Sequence, residues 1–201
     1  MKNFRHLFLT LLLFPILVFS QPGIGQDNFK YVVGEASGDL NNDGLEDIVM
    51  VTQDTLAETG PYLLEIFFGL KDGNKELFLS TQTAILPEYP DGRDGLKTGG
   101  GFEEVVIDDS VLFIKNTLLR GEYEHRFKFR KGRFELIGYT NSEADGRGKS
   151  YYTNFDLLTG VLERKIESYE TDEVIEHTSE VIQFPTFPSL RSFVPFAERF
   201  Y

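Results

Sequence analysis

Between positions 123 and 130 the sequence YEHRFKFR sets Tyr123, His125, Phe127 and Phe129 on one side of an extended chain, with Glu124, Arg126, Lys128 and Arg130 on the other. A period of two marks a strand buried on one face. The same alternation recurs along the chain, and helical periodicity does not. Lys131 and Gly132 supply a turn before the next extended run, FELIGY at 134–139, which predicts a hairpin. Two more hairpins are predicted from 62–70 through a turn at 71–74 into 76–80, and from 104–107 through 108–110 into 111–115. Runs at 151–157, 161–169 and 174–184 then follow one another across Thr159-Gly160 and Thr171-Asp172. With 31–33 and 48–51 added, roughly ten strands fall at the spacing of an all-β fold of mainly antiparallel sheets, a sandwich or a barrel.

Two stretches interrupt the pattern. PEYPDGRDGLKTGGG at 87–101 holds two prolines and five glycines, too many for a strand interior, and reads as a site-shaping surface loop or as a linker between two β-layers. Residues 141–150 are polar and contain glycine, and read as a second loop. The tail from 185 to 201 spaces Pro185, Pro188 and Pro195 among Phe187, Phe193, Phe196 and Phe200, which suits irregular chain or a short last helix.

At the N-terminus, Lys2, Arg5 and His6 precede an apolar run from 7 to 19 that ends in Val18-Phe19-Ser20. That is the pattern of a secretory signal peptide, and it is too short for a spanning helix. The expected organisation is therefore a signal at 1–20, a first β-unit at 21–86, the loop at 87–101 and an antiparallel region at 102–201 that forms one compact domain with the first unit. Export to the periplasm or the extracellular space follows, without membrane insertion once the signal is removed. Cysteine is absent, which removes disulfides, thiolate metal sites and a cysteine nucleophile. Residues 1–20 carry two of the 20 Lys and Arg and none of the 32 Asp and Glu, so the remainder has a net charge of −14. A field of that sign repels nucleic acid and favours cations.

One short run concentrates candidate chemistry. GDLNNDGLED at 38–47 puts Asp39, Asn41 and Asp43 at relative positions 1, 3 and 5, Gly44 at a sharp turn, Leu45 at position 7 and Asp47 at position 9. Calcium takes six to eight hard oxygen ligands, and alternate side chains of a tight loop can converge to supply them. The expected ligands are Asp39, Asn41, Asp43, the carbonyl of Leu45, and Asp47. An EF-hand starts the same way but needs an acid at position 12, which is Met50, and flanking helices in place of these strands. The prediction is one structural calcium ion in a loop between two strands.

The run D-x-N-x-D-G-x-x-D leading into Ile48-Val49-Met50-Val51 resembles the calcium loop of FG-GAP or VCBS repeats, the blades of integrin-alpha-type propellers. Over 29–85 the resemblance extends to YLLEIFFGLKDGNKELFL, and it implies calcium held by the corresponding residues. Only one copy is present where a propeller needs several, so the resemblance implies a single blade-like unit within another β-fold. FELIGY, Thr153-Asn154-Phe155 and Leu157-Leu158-Thr159-Gly160 are also similar to the downstream half of exported bacterial proteins carrying one such loop. That similarity implies export and no particular reaction.

Other residues have simpler readings. His125 is expected to pack on the inner face of its strand, and His177 to lie exposed; no G-x-S-x-G is present to build a serine nucleophile. Arg126, Lys128, Arg130, Lys131 and Arg133 form a basic face expected to pair with acids such as Glu176 and Glu180. Glu103-Glu104 and Asp108-Asp109 are adjacent residues that a strand or turn separates, a poor start for a paired-carboxylate site. The combined expectation is an exported calcium-binding β-protein acting as a non-enzymatic binding or cell-envelope module for a protein or glycan. Two alternatives remain: a secreted hydrolase, glycan-directed, with its cleft beside the 87–101 loop, or an anion-binding module using Arg126–Arg133.

Overall fold

The computed structural model describes residues 28–95, 100–183 and 186–197. The signal-peptide reading of 1–20, residues 96–99 of the glycine-rich loop and the last residues of the tail lie outside them. Among the described residues eleven strands follow in order: β1 (Tyr31–Gly38), β2 (Asp47–Gln53), β3 (Tyr62–Gly69), β4 (Lys75–Thr81), β5 (Gly101–Asp108), β6 (Val111–Leu118), β7 (Gly121–Arg130), β8 (Arg133–Ala144), β9 (Lys149–Asp156), β10 (Val161–Ser168) and β11 (Val174–Val181). Each alternating run became a strand. Among the described residues of the tail, Leu190–Ser192 form a 3-10 turn.

The strands form two antiparallel meanders in chain order, β1-β2-β3-β4 and β5 through β11, and neither sheet closes on itself. The sandwich-like arrangement therefore holds and the barrel does not. Hairpins are set by short turns with left-handed backbone: Asp109 and Ser110 between β5 and β6 (φ 46° and 57°), and Lys131 and Gly132 between β7 and β8 (φ 51° and 78°). Two consecutive residues at positive φ match the right-handed twist of the strands they join. The expected 141–150 loop is a correction. Asn141–Ala144 belong to β8, where they pair with Gly121–Tyr123 on one side and Ser150–Thr153 on the other. Ladder hydrogen bonds from both neighbours outweigh the weak strand preference of Asn, Ser and Glu.

One hydrophobic core serves both sheets. Val49 and Val51 of β2, Leu64 and Ile66 of β3 and Leu79 of β4 join Leu112, Ile114, Phe127, Phe134, Leu136, Phe155 and Leu162 from the larger sheet, all buried. Each such side chain contributes about 1.5–3 kcal/mol relative to exposure. Phe68 and Phe78 of the small sheet stack with centroids 4.4 Å apart, and Phe129 of β7 meets their edges at 5.3 and 5.4 Å. β1 lies against β5 at Gly34 and Gly38, where a Cβ would stand 2.7 Å from Phe102 and from Ile107. From the tail, Leu190 and Phe193 enter the same core, and Leu136 N–H donates to the Pro188 carbonyl at 2.9 Å.

The 87–101 segment connects the two sheets, running from β4 to β5. Its described part folds back on residues 54–61, with Glu88 N–H on the Gly60 carbonyl (3.2 Å), Tyr89 N–H on the Thr59 carbonyl (2.9 Å) and Gln53 Nε2 on the Glu88 carboxylate (2.8 Å). At the far edge, every residue of β11 is exposed.

Candidate functional site

The loop from Asp39 to Glu46 joins β1 to β2, as the spacing predicted. It is built from side-chain oxygens that accept the loop's own amides. Asp39 accepts from Asp43 N–H (3.1 Å) and Gly44 N–H (2.9 Å). Asn41 Oδ1 accepts from the same Asp43 N–H at 2.9 Å, and Asp43 accepts from Leu45 N–H at 2.9 Å. Asn41 Nδ2 closes the ring on Asp43 Oδ2 at 3.1 Å. Gly44 sits at φ +82° and Asn42 at φ 61°, which lets the chain reverse inside so few residues. Asp39 and Asn41 thus converge on one atom, with the Asp43 carboxylate beside them.

Asp47 is placed differently. It is fully buried at the start of β2, on the same face as Val49 and Val51. One carboxylate oxygen accepts Leu40 N–H at 2.8 Å, and the other accepts Gly69 N–H at 3.0 Å from the end of β3. It ties the loop base to the sheet. Lys75 adds a cation at the rim, donating to the Glu46 carbonyl. None of the described hydrogen bonds ends on the Leu45 carbonyl.

The acceptors gathered by the loop are all oxygens, and a side-chain oxygen engaged by one N–H keeps a further lone pair. Among the described residues, no group of three or more His, Cys, Asp or Glu side chains is placed to hold a metal. The loop gathers two acids, Asp39 and Asp43, with the Asn41 amide oxygen between them; Asp47 is engaged beneath. Gly69 escaped the sequence reading. Its partner lies 22 residues upstream, and only the FFGL ending of that run hinted at a glycine whose backbone another group must approach.

Away from the loop, the outer face of the larger sheet carries a groove of about 760 Å³ lined by Lys115, Glu122, Glu124, Thr140, Tyr152 and Glu163 among others. Register explains it. Lys115, Glu124, Thr140, Asn154 and Glu163 stand opposite one another across β6 to β10, in one row on the face away from the core. Burial raises the Glu124 carboxyl above its ordinary range, against the lowering pull of Arg126 and Lys115. Lys115 pairs with Glu104 at 2.8 Å, and Lys165 pairs with Glu167 at 2.7 Å while lying 4.7 Å from the Tyr152 ring centre. Glu122 and Glu124 sit side by side two residues apart on one strand, roughly 7 Å along it. Glu163 lies three strands from Glu124, roughly 14 Å away. The first spacing lies within the carboxylate separations of glycosidases, but Glu122 and Glu124 leave one strand on one face and not from opposite sides of a cleft.

His125 is fully buried between the rings of Tyr139 (5.1 Å) and Phe193 (4.8 Å), where burial lowers its pKa to about 3. It is a neutral core residue. His177 is exposed on β11. The basic face finds other partners than expected: Arg130 and Arg133 approach the buried Glu135 carboxylate at 3.7 and 2.8 Å, and Arg126 approaches Glu124 at 3.9 Å. Glu180 instead pairs with Arg164 at 2.7 Å. β11 lies three strands beyond β8, so neither Glu176 nor Glu180 can reach β7.

The architecture defines a class, two antiparallel sheets of four and seven strands over one core. No family model, no curated protein and no solved structure matches the chain.

Proposed function

We propose that the protein is an exported, calcium-stabilised β-module that binds a partner and carries no catalytic chemistry of its own. The observation that carries this reading is the convergence of Asp39 and Asn41 oxygens on the Asp43 amide, in a loop between two strands of a four-stranded meander. A four-stranded antiparallel sheet is also the build of one propeller blade, which supports the FG-GAP-like reading of 29–85. Asp39, Asn41, Asp43 and the Leu45 carbonyl would hold the ion. Asp47 would contribute through the lone pairs its two N–H partners leave free.

Calcium supplies charge compensation and a closed loop, not a reaction. It binds the folded loop and not the unfolded chain, so at 100 times its dissociation constant it adds about 2.7 kcal/mol of stability. The export signal at 1–20 supports a calcium-rich extracytoplasmic setting. The test is thermal melting of the wild type and of Asp43→Ala with calcium and with a chelator. The wild type should gain melting temperature with calcium and Asp43→Ala should gain none; equal gains would remove the ligand assignment.

A further inference from the structure

We infer that the groove on the outer face of the seven-stranded sheet is a site for a neutral polyhydroxylated chain, an oligosaccharide. This rests on the reading of the protein as a binding module and names the ligand class. The groove's volume, about 760 Å³, falls in the range of ligand sites. It crosses from β6 to β11, five strand spacings or roughly 24 Å, so it accepts an extended molecule better than a compact one.

Its lining selects by chemistry. Apart from the rings of Tyr123 and Tyr152, the side chains that line it are polar or charged, Thr140, Ser142 and Asn154 among them, a poorer match to lipids and other hydrocarbon ligands than to a chain of hydroxyls. Anionic chains are disfavoured by Glu122, Glu124 and Glu163. The two lysines are already engaged: Lys115 by Glu104, and Lys165 by Glu167 and the Tyr152 ring. What remains is a surface on which donors and acceptors alternate. Along one row run Lys115, Glu124, Thr140, Asn154 and Glu163; along the next, Ser142, Tyr152, Lys165 and His177. A sugar hydroxyl donates and accepts at once, so a run of hydroxyls can meet each of these groups without bringing charge.

Glu124 makes the case sharper. Its side chain is 21 % exposed, and burial already disfavours its charge. A ligand hydroxyl aimed at that carboxylate restores solvation that the groove removes. Arg126 stands beside it: its guanidinium lies over Gly138, where it leaves no room for a Cβ, and it donates to Asn154 Oδ1 at 3.3 Å.

The experiment is calorimetric and NMR titration of the full chain with cellohexaose, xylohexaose, maltohexaose and chitohexaose, in calcium and in chelator. At least one should bind, shifting the amide signals of β7 to β10 around the groove, with affinity unchanged between low and high salt. Tyr152→Phe and Glu124→Gln, both conservative enough to keep the fold, should each weaken it roughly tenfold. Failure of all four to shift groove signals, or affinity that collapses with salt, overturns the inference; the latter would mark a charged ligand. Sugar binding with no calcium response leaves this inference standing and removes the calcium reading, and the converse result does the opposite.

Discussion

Replacing Asp47 with alanine removes an acceptor that serves two backbone amides from different elements. Leu40 is fully buried, and Gly69 closes β3 where an added Cβ would stand 2.5 Å from the Glu46 carbonyl oxygen. Both hydrogen bonds lie in the interior. A buried donor left unsatisfied costs about 1–3 kcal/mol, and bonds to a charged acceptor lie toward the upper part of that range. Two such losses put Asp47→Ala at about 3–5 kcal/mol, a large share of the ~5–15 kcal/mol that a domain possesses. Chemical denaturation in chelator reads this directly, because calcium then plays no part. Asp39→Ala, whose partners Asp43 N–H and Gly44 N–H face solvent, should cost about 1 kcal/mol or less under the same conditions. Equal midpoints for the two variants would refute the reasoning, since they would show that the Asp47 contacts to Leu40 and Gly69 carry no special weight.

Acidification should expose His125. The unfolded chain takes up its proton below the ordinary histidine value of 6.5 while the folded chain resists down to about 3. The resulting stability is therefore complete above 6.5 and is lost as pH falls toward 3, at about 1.4 kcal/mol per unit. Between pH 7 and pH 4.5, His125→Phe should lose about 2–3 kcal/mol less than the wild type in urea titrations, and identical losses would contradict a neutral buried imidazole. Gly69→Ala places a Cβ 2.5 Å from the Glu46 carbonyl oxygen, which is backbone and cannot swing aside. The variant should lose about 1–3 kcal/mol and lower the melting temperature, and an unchanged melt would mean that β3 yields there freely.

Much of this architecture was written in alternation. YEHRFKFR faces Tyr123, His125 and Phe127 inward as its period requires, and Lys131-Gly132 turns the chain where it should. Local signals fail where partners are distant. Nothing near Asn141 announces that β7 and β9 both pair with it, so the polar composition of 141–144 reads as a loop. Asp47 looks like one more acid in a loop motif; its two amide partners come from the other end of the loop and from a strand that ends 22 residues later. The basic face shows its charge in sequence, but its partner Glu135 lies across one hairpin turn while the acids of β11 are out of reach. The groove has no local signature, because six strands each lend it only one or a few polar side chains, and only the pairing register brings them together.

Calorimetric titration of chelator-treated full chain with calcium examines the central claim most directly. Extracellular calcium modules bind with dissociation constants on the order of 10⁻⁴–10⁻³ M, so the titration must reach millimolar concentrations. One saturable site is expected in the wild type, lost in Asp39→Ala and in Asp43→Ala and retained in Asp109→Ala, whose acid lies in the separate β5–β6 turn. A flat titration of the wild type, or heat that survives both loop substitutions, would contradict calcium binding between β1 and β2.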